Sequence, residues 1–149
     1  MPSQATNDAT HREWRELGFY YDRDDAAKTW TLVGSRSGLL RFRDLLLAYA
    51  ANESNDKESE HRHYGPYMYL EIMTWHEASF DDHAIRGPLP ELNRLANLIE
   101  NKIGAAKAGA TITIRSEYSA NSPYALVLEV RDDNFDPAEA DPELHKKIG

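Results

Sequence analysis

Histidines and carboxylates gather most closely at one point of the chain. His76-Glu77 and Asp81-Asp82-His83 follow directly on the most aromatic stretch, residues 64–85 (YGPYMYLEIMTWHEASFDDHAI). Imidazole and carboxylate together suit zinc, manganese or iron, or a proton-transfer site. The helical signature with two histidines four residues apart is absent. Asp and His are also common in loops, where their short polar side chains serve turns and caps. The cluster is therefore expected to be a polar contact surface, and no metal ligand or cofactor is assigned to it.

A second pair, His61 and His63, has the spacing HxH. On a strand such a pair can chelate a metal, but its surroundings (DKESEHRHYG) read as a solvated loop. Glu71 interrupts an apolar strand row and can be paired on paper with Asp81 or Asp82 as a two-carboxylate hydrolase. The expected arrangement is simpler, with Glu71 matched across the sheet to an arginine such as Arg115. The turn Gly34-Ser35-Arg36-Ser37-Gly38 opens a helix and can bind an anion there. It lacks the Lys-Ser/Thr ending of a phosphate-binding loop, so it reads as a capped strand-to-helix junction. No serine lies in a G-x-S-x-G elbow, and the chain has no cysteine. Disulfides, thiolate nucleophiles and cysteine metal sites are thereby excluded. No catalytic signature is present, and the chain is not expected to be an enzyme.

The elements that must position these residues belong to a chain of 149 residues, 41% hydrophobic and 10% aromatic, which suits one folded domain. The formal net charge is −8 and the pI about 5.2. A field of that sign repels phosphate backbones and argues against nucleic acid as a partner. It attracts a basic protein and speeds its approach. The first ten residues carry no apolar signal core, and no apolar run nears the ~20 residues of a membrane helix. The expected location is the cytoplasm, with no membrane partner.

Residues 1–12 are polar and expected to be frayed. Residues 17–21 and 28–33 form a hairpin whose tip carries Asp22, Asp24 and Asp25. A helix over 39–51 buries Leu39, Phe42, Leu46 and Tyr49, capped by Ser35 or Ser37. Residues 52–63 are a polar loop. A strand over 67–75 follows, with Tyr69 and Met73 as core and with Tyr64, Tyr67 and Trp75 more exposed at its ends. Residues 76–86 form a loop holding one short strand near 83–85. A second helix begins near Pro88 with the stripe Leu92, Leu95, Ala96, Ile99 and Ile103. Residues 110–118 and 124–130 alternate as a second hairpin, with Ala110, Ile112, Ile114, Tyr124, Leu126, Leu128 and Val130 inward. The acidic, Pro-punctuated end, residues 132–149, reads as a loose tail. The order ββ-α-β-(β)-α-ββ predicts an α+β fold: one mostly antiparallel sheet of about five strands with two helices on one face.

Two segments, LVGSRSGLLRFRDLL (residues 32–46) and HYGPYMYLEIMTWHEASFDDHAIRGPLPELNRLANLI (residues 63–99), lie within the span 32–99. Their general pattern resembles the immunity proteins of bacterial polymorphic toxin systems. The resemblance implies a non-catalytic protein that binds and neutralises a cognate toxin, often a nuclease, inside the producing cell. A basic toxin cleft would meet Asp22, Asp24 and Asp25 on the hairpin and Glu77, Asp81 and Asp82 on the loop. Tyr64, Tyr67, Trp75, His76 and His83 complete the expected contact set. Two other roles remain open at this level: a small enzyme or metal protein using His76, Asp82 and His83, and an accessory subunit or scaffold.

Overall fold

A single tryptophan organises the polar N-terminal stretch. The computed structural model describes residues 4–145, and the first helix, α1, spans Gln4–Leu17. The expected fraying of residues 1–12 is corrected from residue 4 onward; residues 1–3 lie outside the described residues. Trp14 is fully buried, and its indole Nε1 donates to the Asp141 carboxylate at 2.9 Å. Its ring meets Tyr20, Tyr21 and Tyr67 with centroids 4.9, 5.0 and 5.9 Å away. One large side chain thus seats a helix whose other residues are nearly all polar.

The expected loose tail is corrected in the same place. Pro137–Ala140 and Pro142–His145 form 3-10 turns, and Ala138 and Asp141 are buried. The aspartates that suggested disorder are caps. Asp136 accepts from the Ala138 amide, and Asp141 accepts from the Glu143 amide at 2.9 Å. Arg15 of α1 bonds Asp136 at 2.8 Å, and this hydrogen bond holds the Asp136 carboxyl below its ordinary range. Residues 146–149 lie outside the described residues.

After α1 come β1 (Tyr20–Asp24), β2 (Thr29–Ser35), α2 (Arg36–Ala51), β3 (His61–Tyr64), β4 (Leu70–Thr74), β5 (Ser79–Phe80), β6 (Ile85–Gly87), α3 (Leu89–Ala105), β7 (Thr111–Ile114) and β8 (Ala125–Arg131). Ser35 caps α2 by accepting from the Gly38 amide at 3.1 Å. Gly38 has to be glycine, because a Cβ there would lie 2.1 Å from the Gly18 carbonyl oxygen. Leu39, Phe42, Leu46 and Tyr49 of α2 are buried, as are Leu92, Leu95, Ala96, Ile99 and Ile103 of α3. Both stripes join Trp30, Leu32, Leu126 and Leu128 in one core.

The fold is α+β, but the strands form two four-stranded mixed sheets instead of one antiparallel sheet, with a third helix, α1, beside the expected two. The first sheet has the order β1-β2-β8-β7 and the second β3-β4-β6-β5. In the first, both hairpins form, and their inner strands β2 and β8 then pair parallel, Thr29 to Ala125 through Ser35 to Arg131. In the second, β4 pairs antiparallel with β3 and parallel with β6. Alternation shows which residues share a face; it does not show which strand lies alongside.

The expected loop over residues 52–63 is also corrected. It contains a 3-10 turn, Glu53–Asn55, and the edge strand β3. Asn55 is buried and donates from Nδ2 to the Tyr49 carbonyl at 2.9 Å, while the Thr74 hydroxyl donates to the Asn55 carbonyl at 2.6 Å. These bonds tie the polar segment to α2 and β4. At the other end of β3, the Tyr21 hydroxyl donates to the Tyr64 carbonyl at 2.7 Å.

Burial pushes Tyr21 and Tyr64 up to about 12. The folded protein therefore holds these phenol protons after the unfolded chain has released them near pH ~10. Their contribution to stability is full below that pH and is lost as the pH rises through about 12. A spectrophotometric phenolate titration should show a class of tyrosines ionising only together with loss of the folded circular dichroism. Ordinary titration of every tyrosine while the fold persists would contradict the packing around Tyr21.

Candidate functional site

The β1–β2 turn is built around Asp24, whose Oδ1 accepts from the Ala27 amide at 3.0 Å. Asp25 follows on the same tip, receiving the Tyr124 hydroxyl at 2.7 Å and the Arg23 guanidinium at 2.8 Å. The hydrogen bond from Tyr124 is the first cause of a lowered Asp25 pKa, so this carboxylate is held charged. The same bond pushes Tyr124 up to about 12. Asp22 projects from β1 and receives a long hydrogen bond, 3.4 Å, from the Tyr69 hydroxyl.

The loop between β5 and β6 comes up against this hairpin. Arg23 Nη1 donates to the Asp82 carbonyl at 2.6 Å, and Trp30 Nε1 donates to the Asp81 carbonyl at 2.7 Å. Asp81 itself is taken up in shaping the loop. Its Oδ1 accepts from the His83 and Ala84 amides, both at 2.9 Å, and its Oδ2 meets Arg86 Nε at 2.5 Å. Holding the backbone this way turns Asp82 and His83 outward, with side chains 59% and 69% exposed. Glu77 is exposed beside them, at a shallow cleft it shares with Ser79, Asp81, Ser119 and Asn121.

The result is a ridge on which Asp22, Asp24, Asp25 and Asp82 are all exposed, although more than fifty residues separate the two segments. Among the described residues, Arg23 is engaged by the ridge itself, Arg86 is paired with Asp81 beneath it, and Lys28 is exposed at the hairpin tip. The sequence names both acidic groups; their contact depends on β6, read as a short strand near 83–85 and found at Ile85–Gly87, and on its two-residue partner β5, which is too short to be read as a strand.

The remaining expected contact residues lie elsewhere. His76 Nδ1 is paired with Glu58 Oε1 at 2.6 Å, a bond that lowers the Glu58 pKa. Trp75 is half-buried, with the Arg86 guanidinium 5.0 Å from its ring centroid. Tyr64 is half-buried against the core. Tyr67 is 43% exposed, but its hydroxyl bonds Asp141 at 2.5 Å and its ring lies on Trp14. Tyr67 thus supports the seat of α1, and Tyr64 lines a cleft with Leu45, Ala48 and Tyr49 of α2; neither is shown on the ridge. Tyr69 and Met73, read as core, are half-buried.

The strand-to-helix turn at residues 34–38 is the capped junction it reads as. Arg36 donates to the Gly104 carbonyl, and Arg41 to the Glu16 carbonyl at 2.5 Å.

The expected pairing of Glu71 with Arg115 is corrected. Arg115 donates to the Ser122 carbonyl at 2.9 Å, whereas Glu71 stands directly opposite His63 in the β3–β4 register. Glu71 Oε1 lies 3.8 Å from His61 Nε2 and 4.0 Å from His63 Nε2. The HxH pair, read as part of a solvated loop, is therefore on a strand, where a two-residue spacing puts both rings on one face. The period-two alternation of His61 and His63 with Arg62 and Tyr64 was the available signal. Among the described residues no helix is long and apolar enough to cross a membrane. No protein-family model, no curated protein and no solved structure matches this chain.

Proposed function

We propose that the protein is a non-catalytic inhibitor of the immunity type, which neutralises a basic protein toxin by laying the acidic ridge into the toxin's cleft. One observation carries the reading: the hairpin tip and the β5–β6 loop are bonded to each other through Arg23 and the Asp82 carbonyl. Two patches of negative charge thereby become one preorganised surface. A ridge of exposed carboxylates presents negative charge as a nucleic acid does, and a nucleic acid is the natural occupant of a nuclease cleft. It steers a basic partner into encounter and blocks the cleft with no chemistry of its own.

Preorganisation matters because loop ordering on binding subtracts from affinity. Here Asp24 fixes the turn, Tyr124 fixes Asp25, and Asp81 fixes the loop that presents Asp82. The partner then meets carboxylates that are already in place.

The test is binding to the product of a toxin-like reading frame next to the gene. The expected result is a 1:1 complex on size-exclusion chromatography and protection of growth when both proteins are co-expressed. A folded toxin that neither binds nor is neutralised would overturn the reading.

A further inference from the structure

We infer that His61, His63 and Glu71 form a binding site for one divalent transition-metal ion of the zinc class. The inference stands independently of the proposed function. The three side chains offer two imidazole nitrogens and one carboxylate oxygen, with their ligand atoms all within 4.8 Å of one another. Two histidines and one carboxylate on one face are a donor set suited to zinc, or to iron and its neighbours, with positions left for water.

The distances are informative. At 3.8 and 4.0 Å from the imidazole nitrogens, the Glu71 oxygen is too far for hydrogen bonding. Ligands about 2.0–2.2 Å from a common tetrahedral ion lie roughly 3.3–3.5 Å apart. With all three ligand atoms within 4.8 Å of one another, closing onto an ion requires shifts of about 1 Å, within reach of side-chain rotations.

The surrounding bonds already orient the ligands. His61 Nδ1 lies 2.9 Å from the Ser59 carbonyl oxygen, a contact in which Nδ1 carries the proton and Nε2 keeps its lone pair for a metal. A metal-binding histidine is ordinarily fixed by such a second bond. Ser59 holds that carbonyl in place with a left-handed backbone, φ 74°, an unusual conformation for a residue with a side chain. Its amide is in turn anchored to the Thr74 carbonyl at 2.9 Å.

The environment also suits an ion. Glu71 is buried, its side chain 11% exposed, and the basic groups facing it are these two histidines. A buried carboxylate is costly without a positive partner, and a bound cation supplies one. The histidine side chains are 45% and 40% exposed, so the ion enters from solvent and water fills its open position. Because β3 is an edge strand, the ion also clips that edge to β4.

The test uses the tag-free full chain, stripped of metal and titrated with Co²⁺ and then with Zn²⁺. The expected result is one equivalent of Co²⁺ giving saturable visible bands, displaced by Zn²⁺, together with a Zn²⁺-dependent rise in melting temperature. His61→Ala, His63→Ala and Glu71→Gln should each weaken Zn²⁺ binding by roughly a hundredfold or more. The double variant His76→Ala/His83→Ala should bind as the parent does. Should a histidine variant fail to fold, Glu71→Gln and the parent protein still decide the matter. Absence of saturable binding by the parent below about 1 mM would overturn the site. So would binding that survives Glu71→Gln or that disappears in His76→Ala/His83→Ala.

Discussion

Replacing Trp14 with alanine is expected to lower the unfolding free energy by about 3–5 kcal/mol, the range for deleting a large buried aromatic side chain. The ring is fully buried among Tyr20, Tyr21 and Tyr67, so its removal leaves a void that the surrounding rings fill only in part. The loss has a polar component too. Asp141 is buried and accepts from Trp14 Nε1 at 2.9 Å and from the Tyr67 hydroxyl at 2.5 Å. Without the indole, this carboxylate loses a donor in a place that water reaches poorly. The urea midpoint should fall, and near-ultraviolet circular dichroism should lose aromatic signal. A change under about 1 kcal/mol, the size of an ordinary surface substitution, would mean that α1 is not seated as described.

Reversing the charge of the ridge is the second large effect. In the triple variant Asp22→Lys, Glu77→Lys, Asp82→Lys, the association rate with a basic toxin should fall roughly a hundredfold, within the range that steering spans. The effect belongs mainly to association, because these carboxylates are exposed and act at a distance. At these positions the side chains hold little of the fold: Asp22 receives one long bond from Tyr69, and Asp82 engages Arg23 through its backbone carbonyl, which the substitution keeps. Asp24 closes the turn, Asp25 holds Tyr124 and Asp81 shapes the loop, so changing those would confound charge with fold. Melting temperature should stay close to the parent's. An unchanged association rate in a folded triple variant would place the partner's contact on another surface.

The parts of the fold that were legible in the sequence are those in which one residue type repeats at one period. The stripe from Leu92 to Ile103 is buried throughout, and the alternation of Tyr124, Leu126, Leu128 and Val130 marks the inward face of β8 correctly. What was not legible depends on single residues and on neighbours distant in sequence. Helix α1 rests on Trp14, whose partner Asp141 is 127 residues away. The parallel pairing of β2 with β8 leaves no mark in either strand. An edge strand with an open face needs no apolar row, so β3 looks like a loop although it carries His61 and His63.

The candidate site divides along the same line. Asp22, Asp24, Asp25 and Asp82 were identifiable as an acidic set because charge is read directly from residue type. Their union was not, since it runs through backbone acceptors: Arg23 reaches the carbonyl of Asp82, and Trp30 that of Asp81. Glu71 stands out in the sequence as the odd residue of its row, but its neighbours across the sheet follow only from the β3–β4 register. Tyr67 illustrates the converse. Its place at a strand end implies exposure, yet its hydroxyl serves Asp141.

The central claim is electrostatic, and one measurement addresses it directly: the association rate of the parent protein with the neighbouring toxin-like product, followed by stopped flow as salt rises. Between about 0.01 M and 0.15 M the screening length shrinks from about 30 Å to about 8 Å. If the acidic ridge steers the encounter, the rate should fall at least ~tenfold over that range, with dissociation nearly constant. A rate that stays flat as salt rises, or no complex at any salt concentration, would contradict the account.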